Sequence, residues 1–103
     1  MAQTAKKMGA KAAPLNANHS FELGGAYLIR TVTMYYTGRL RRITDTDLLL
    51  TDAAWIADTG RFATALKTGV VSEVEPFPDA VIISRGCIVD ATFWPHALPR
   101  EQK

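Results

Sequence analysis

Short apolar stretches recur between residues 26 and 93, and their spacing predicts a mainly β domain. The first predicted strand runs from Ala26 to Val32 and the second from Tyr35 to Ile43. Both are rich in the β-branched and aromatic residues that favour strands. Gly38 lies inside the second strand, where a lone glycine indicates a bulge, a bend or a close approach of two backbones.

The Asp and Thr residues at positions 44–47 predict a turn, because their side chains hydrogen-bond nearby backbone groups. A third strand is expected over residues 48–52. A hairpin centred on Asp45 and Thr46 would then place Arg39 opposite Asp52, as a cross-strand charge pair.

The hydrophobic period changes after residue 56 and predicts one short helix between strands three and four. Asp58 or Thr59 is its expected N-cap, and the helix is expected to end at Thr68. Gly69 stands where a left-handed C-terminal glycine belongs. Residues 72–79 are polar and contain Pro76 and Pro78, so we expect no regular structure there.

Two further strands, over residues 80–84 and 87–93, are joined by a tight turn at Arg85 and Gly86. Five short, bent strands with one helical insert predict a small antiparallel barrel. We therefore expect a basic arm over residues 1–25, a barrel domain over residues 26–94 and a proline-containing tail over residues 95–103.

The net positive charge of the chain comes from the arm. The whole chain has a formal net charge of +2. The first twenty residues contain Lys6, Lys7 and Lys11 and no acidic residue, so the other nine Lys and Arg face all ten Asp and Glu, a net −1. This balance is not that of a dedicated nucleic-acid-binding domain. The arm is either a flexible tail or a segment that becomes ordered on a neighbouring subunit or an anionic polymer.

Two stretches resemble the paired motifs of the Sm-like fold, a strongly bent five-stranded barrel related to the SH3-like barrels. The first joins Gly38, Leu40 and Ile43 to the acidic turn and to the apolar residues 48–50. The second, residues 83–89, is similar to the family's hydrophobic, Arg-Gly, hydrophobic pattern. The strand and helix pattern is most similar to that of small phage-encoded Sm-like proteins of unknown function.

This resemblance implies a homo-oligomeric ring in which strand four of one copy pairs with strand five of the next. Unpaired edge strands favour such pairing on physical grounds as well. We expect a structural or interaction protein, a phage virion component found in the virion or in the cytoplasm of an infected bacterium, with other phage structural proteins as further partners. The expected interface residues are Val81, Ile82, Ile83, Ile88, Val89, Trp55 and Trp94.

An RNA-binding regulator is the alternative function. The family typically reads a base with an asparagine at the turn before its third strand, whereas this turn carries Asp45 and Asp47, which repel phosphate. Only the Arg-Gly half of that pocket is present. The candidate RNA-binding residues are Arg85, Gly86, Arg39, Arg41, Lys6, Lys7 and Lys11. A third alternative is a monomeric adaptor that presents its tryptophans to one protein partner.

Other chemistry finds little support in the sequence. Cys87 has no neighbouring histidine, and His19 and His96 have no ligands at metal spacing. No nucleophile elbow, P-loop or dinucleotide-binding fingerprint is present. We therefore expect no enzyme activity, no cofactor and no metal. No apolar run approaches the length of a membrane span, so we expect no membrane partner.

Overall fold

The computed structural model describes residues 19–103, and in them the chain is mainly β, as the sequence predicts. The described part of residues 1–25 is limited to residues 19–25, so Lys6, Lys7 and Lys11 lie outside the described residues. The six strands are β1, Ala26–Thr31; β2, Tyr35–Ile43; β3, Asp47–Asp58; β4, Glu73–Pro76; β5, Val81–Ser84; and β6, Ile88–Phe93. The helix α1, Phe62–Thr68, follows β3, and a 3₁₀ turn, Arg85–Cys87, joins β5 to β6.

The strands form one antiparallel sheet in the order β4-β3-β2-β1-β6, with β5 also paired to β3. The sheet is open: among the described residues β6 pairs only with β1, and no ladder joins it to β4 or β5. The structure thus confirms a mainly β antiparallel fold, but it has six strands in an open sheet where the sequence predicts a five-stranded barrel.

The sixth strand, β4, lies in the segment that we expected to be irregular. Pro76 stands opposite Ala54 at the last position of this strand. A proline has no N–H to donate to a neighbouring strand. It is tolerated here because β4 has a strand neighbour on one side only.

β3 is a long strand that bends at a bulge. Asp52 has a left-handed φ of 51° and adds one residue to β3 between the pairs Thr37–Ala54 and Arg39–Thr51. The half of β3 before this bulge pairs with β5, and the half after it pairs with β4. A second irregularity, between Leu40 and Arg42 of β2, shifts the register nearer the turn, so Arg39 lies opposite Thr51 rather than opposite Asp52 as predicted.

Each face of the sheet carries a buried apolar core. One face carries the inner core, which comprises Tyr27, Ile29, Leu40, Leu48, Leu50, Ala53 and Ile83. The other face is covered by α1 and by the segment after β6, and its core comprises Leu28, Ala54, Ile56, Ala65, Val71, Val74 and Trp94. Successive strand residues alternate between the two cores, as the two-residue period of a strand requires.

The ends of α1 differ in how well the sequence predicts them. Gly69 has a φ of 78° and its N–H bonds the Ala65 carbonyl oxygen, as expected for a C-terminal glycine. The N-cap is Arg61, which makes no side-chain capping bond. Asp58 is not the cap because β3 extends to it, and its carboxylate accepts the N–H of Gly60 instead.

Residues 95–103 have no regular structure, as their prolines predict, but they pack against the sheet. A ring nitrogen of His96 lies 2.8 Å from the Leu66 carbonyl oxygen, at the end of α1. The backbone of Lys103 exchanges two 3.0 Å hydrogen bonds with Val74, along the outer side of β4. This segment therefore helps to cover both the second core and one sheet edge.

Candidate subunit interface at the sheet edges

Besides the β4 edge, which the Lys103 backbone partly covers, two sheet edges, those of β5 and β6, are not paired with another strand among the described residues. Each presents a large aliphatic side chain to solvent. Ile82 in the middle of β5 is 68% exposed, and Val89 in β6 is 62% exposed. Unpaired N–H and C=O groups beside exposed aliphatic groups are what a further strand needs in order to pair.

The predicted interface residues fall into three groups in the structure. Ile82 and Val89 are exposed on the edge strands, and Val81 and Ile88 are half-buried beside them. Ile83 and Trp94, in contrast, are 4% and 3% exposed and belong to the inner and second cores. Their side chains are already covered by the chain itself.

Trp55 is exposed, but not at these edges. It lies opposite Tyr36 of β2 and Glu75 of β4, in the half of β3 that β5 does not reach. It borders a groove of about 320 Å³ with residues such as Met34 and Asp58. The structure thus separates Trp55 from Ile82 and Val89.

The edge of β6 borders an apolar groove of about 370 Å³ on the inner face of the sheet. Three aromatic rings form its wall: Phe21 meets Tyr27 edge-on at 5.3 Å, and Tyr27 stacks on Phe93 at 4.9 Å. The Tyr27 hydroxyl accepts the N–H of Glu22 at 2.8 Å. Burial raises the pKa of Tyr27, so this phenol stays neutral.

We did not expect this groove from the sequence. Phe21 precedes the first strand within the polar arm, and its packing against Tyr27 depends on a chain reversal at residues 23–24. The only local signal is the Gly-Gly pair, of which Gly24 has a φ of 85°. That signal marks a turn but not the ring against which the turn brings Phe21.

The candidate RNA-binding residues do not form one cluster of free cations. The guanidinium of Arg85 donates to the Thr44 carbonyl, and its backbone N–H bonds the Thr46 carbonyl at 2.9 Å. Arg39 donates to the Gly24 carbonyl at 2.8 Å, and Arg41 to the Thr51 hydroxyl at 2.9 Å.

The two stretches that resemble the Sm-like motifs nevertheless lie in contact with each other. Arg85, in the 3₁₀ turn with Gly86, contacts the turn between β2 and β3 that carries Asp45 and Asp47. The carboxylate of Asp47 accepts the hydroxyl of Thr44 at 3.1 Å, which helps to fix this turn. Arg85 therefore lies against a turn that also carries two carboxylates, and these acidic groups oppose phosphate binding there.

Metal and membrane chemistry find no support in the part of the chain that the structure describes. Residues 19–103 contain no group of three or more His, Cys, Asp or Glu side chains placed to hold a metal ion. No helix among these residues is long and apolar enough to span a membrane. Cys87 is half-buried, and its thiol donates to the Ser84 carbonyl at 3.1 Å.

Comparisons with family models, with curated proteins and with solved structures found no match to this chain. The case for a function therefore depends on the geometry of the two edges and on the chemistry of their side chains.

Proposed function

We propose that this chain is a ring-forming structural protein whose copies pair the β5 edge of one subunit with the β6 edge of the next. The observation that carries the proposal is the presence of two unpaired edges, each with an aliphatic side chain that is more than 60% exposed. A contact between two different edges is heterologous, and it closes into a ring when the rotation between subunits allows.

The placement of the two edges supports this pairing. A three-residue 3₁₀ turn connects β5 to β6, so both edges are fixed to one another through a short, hydrogen-bonded segment. A rigid connection gives every subunit the same angle between its two edges, which a closed assembly needs. The Sm-like resemblance and the phage virion role belong to this proposal, as does the expectation of a non-enzymatic, cofactor-free interaction protein.

The test is the native mass of the purified chain, measured by light scattering after size-exclusion chromatography. We expect one discrete multiple of 11.3 kDa. Ile82→Asp should shift this mass to that of the monomer, because it places a charge on the pairing edge without touching the core. Val70→Asp, at a 59% exposed valine that follows α1, is the matched control and should leave the mass unchanged.

Three results would contradict the proposal. A wild-type chain that elutes as a monomer would favour the adaptor function, with exposed Trp55 as its contact. An oligomer that survives Ile82→Asp would exclude the β5 edge as the joint. Equal dissociation by Val70→Asp would show that added charge, rather than edge pairing, is responsible.

RNA binding is the second candidate: the Arg85-Gly86 turn lies against the turn after β2, so the two Sm-like stretches meet, although the carboxylates of that turn oppose phosphate. It predicts binding of single-stranded RNA that weakens steeply as salt rises. Arg85→Ala should then reduce the affinity, whereas Arg61→Ala, an exposed arginine before α1, should not. Absence of binding at low salt would exclude this function.

A further inference from the structure

Trp55 is an exposed aromatic residue although a paired strand lies on each side of it. It stands in β3 between Tyr36 of β2 and Glu75 of β4, and 37% of it remains exposed. Residues directly opposite one another on antiparallel strands project to the same face of the sheet, so these three side chains form one row. Tryptophan is among the residue types that contribute most to the energy of protein interfaces.

The side chains beside Trp55 are packed against one another. The hydroxyl of Tyr36 donates to Met34 Sδ at 3.4 Å, and the Tyr36 ring stacks on Phe77 with 6.1 Å between the ring centres. Met34 and Trp55 both line the groove of about 320 Å³ between the start of β2 and the end of β3. Part of the groove wall is therefore fixed before a partner arrives, and such preorganisation lowers the cost of binding.

The groove and its margin carry carboxylates. Asp58 lines the groove and stands opposite Glu73 of β4 in the strand register. Like charges directly opposite one another on neighbouring strands are destabilising. Glu75, two residues further along β4, shares the face of Glu73 and lies next to Trp55. The side of the sheet that exposes Trp55 is therefore acidic.

These carboxylates are not neutralised within the part of the chain that the structure describes. No described Lys, Arg or His nitrogen lies within salt-bridge distance of Asp58, Glu73 or Glu75. Asp58 accepts the Gly60 N–H through Oδ1 at 2.8 Å, and Glu75 accepts the Gln102 amide at 3.2 Å. Both of these donors are uncharged, so a cation can bind here without breaking an existing ion pair.

We propose that this groove binds an arginine side chain on an extended segment of a protein partner. The guanidinium lies over the Trp55 ring and donates to the Asp58 carboxylate, which combines a cation–π contact with charge-assisted hydrogen bonds. Lysine has the charge but not the planar fork of donors, so it binds more weakly. Trp55 lies in the half of β3 that β5 does not reach, so the inference does not depend on the ring function.

The test is an NMR titration of the full-length ¹⁵N-labelled chain with a short, blocked peptide of alternating alanine and arginine. We expect saturable shifts of the Trp55 indole N–H and of the Asp58 amide, and none at Ile82 or Val89 on the two sheet edges. The same peptide with lysine in place of arginine should bind more weakly. The peptide with glutamate in that place should cause no shift, because the groove is acidic.

Two pairs of variants locate the contact. Trp55→Ala should abolish the shift of the Asp58 amide, whereas Val70→Ala, at an exposed valine after α1, should leave the affinity unchanged. Asp58→Asn keeps an acceptor for the Gly60 N–H and should weaken the affinity about twofold to fivefold, the range for one exposed ion pair. Asp79→Asn removes the same charge from the loop before β5 and should not weaken it. Unchanged signals outside the groove verify that each variant is folded.

Four results would overturn the inference. An arginine peptide that shifts neither signal at low salt would exclude the site, and equal shifts by the glutamate peptide would exclude recognition of a cation. Equal weakening by Asp58→Asn and Asp79→Asn would show that the net charge of the chain attracts the peptide. A shift of the Trp55 indole with chain concentration alone would identify a second copy as the occupant instead. A monomeric native mass together with the expected shifts would refute the ring function and leave this site intact.

Discussion

Thr37 of β2 and Thr31 of β1 are buried threonines whose hydroxyl groups differ in their hydrogen bonding. The Thr37 hydroxyl is fully buried and has no hydrogen-bond partner. A buried polar group without a partner costs about 1–3 kcal/mol. We therefore expect Thr37→Val, which replaces the hydroxyl with a methyl group, to raise the free energy of unfolding by ~1 kcal/mol, measured by urea denaturation.

Thr31 provides the matched comparison. Its hydroxyl donates to the Met34 carbonyl at 2.8 Å and accepts the Met34 N–H at 2.9 Å. Thr31→Val removes both bonds and should lower the free energy of unfolding by about 1–2 kcal/mol. Opposite signs for the two variants are the expected result, and destabilisation by both would show that the Thr37 hydroxyl is satisfied.

Gly38 shows what a single residue of this sequence predicts and what it does not. The glycine indicates a bend or close approach, and a Cβ there would lie 3.0 Å from the Leu50 side chain and 3.3 Å from that of Ala53. The bulge at Asp52 was not predicted, because aspartate adopts a left-handed backbone more often than most residues but does so at only a small fraction of its positions. The register error at Arg39 has a different origin, the irregularity between Leu40 and Arg42 of β2.

At the scale of elements, local patterns locate the strands and tertiary contacts determine their extent. The apolar run Leu48–Leu50 identifies the start of β3, but β3 continues to Asp58 because β4 pairs with its second half. β4 itself is a short edge strand ending in Pro76, and its pattern of alternating acidic and apolar residues is too brief to be distinguished from a loop. Such strands form only where a longer neighbour is available.

Arg30 of β1 contacts three other elements, β2, β6 and α1, and no pattern in the sequence predicts these contacts. From β1 it binds the Asp90 carboxylate of β6 through two nitrogen atoms. Its guanidinium also lies 5.7 Å from the ring centre of Tyr35 in β2 and 5.1 Å from that of Phe62 in α1. The cation thus holds the helix against the sheet while its charge is balanced by Asp90.

This arrangement predicts a pH dependence of stability. Hydrogen bonds from Arg30 hold the pKa of Asp90 below its ordinary value. The carboxylate therefore contributes stability at pH values above its unfolded pKa, and this contribution is lost as the pH falls through the lower, folded pKa. We expect Asp90→Asn to lower the melting temperature at neutral pH and to reduce the acid-induced fall of the melting temperature.

Asp79→Asn is the control for that measurement, since Asp79 stands in an exposed loop before β5. It should change neither the melting temperature at neutral pH nor its slope in acid. If Asp90→Asn retained the full acid-induced fall of the wild type, the ion pair with Arg30 would not contribute to folding. Salt should weaken the effect, because the pair is partly exposed to solvent.

On the scale of the whole molecule, the sheet carries one apolar core on each face, and the sequence predicts only the inner core. The alternating strands indicate an apolar face that closes on itself, and this is why a barrel was expected. The second face is covered by α1 and by residues 94–103. Residues 94–103 form no helix or strand, so their sequence has no hydrophobic period from which this packing could be predicted. Their packing depends on particular contacts, such as that of Arg100 with the Ala53 and Phe77 carbonyls.

Trp94 distinguishes two interpretations of the second face, a core within one subunit and an interface between subunits. Its ring packs edge-on against His96 at 4.9 Å, its indole N–H donates to the Ala97 carbonyl, and only 3% of the residue is exposed. Trp94→Ala should therefore lower the free energy of unfolding by about 3–5 kcal/mol. Trp55→Ala removes the same side chain from an exposed position and should cost much less. If Trp94→Ala instead changed the native mass and left the unfolding transition in place, Trp94 would belong to the interface and the second face would be open to a neighbouring subunit.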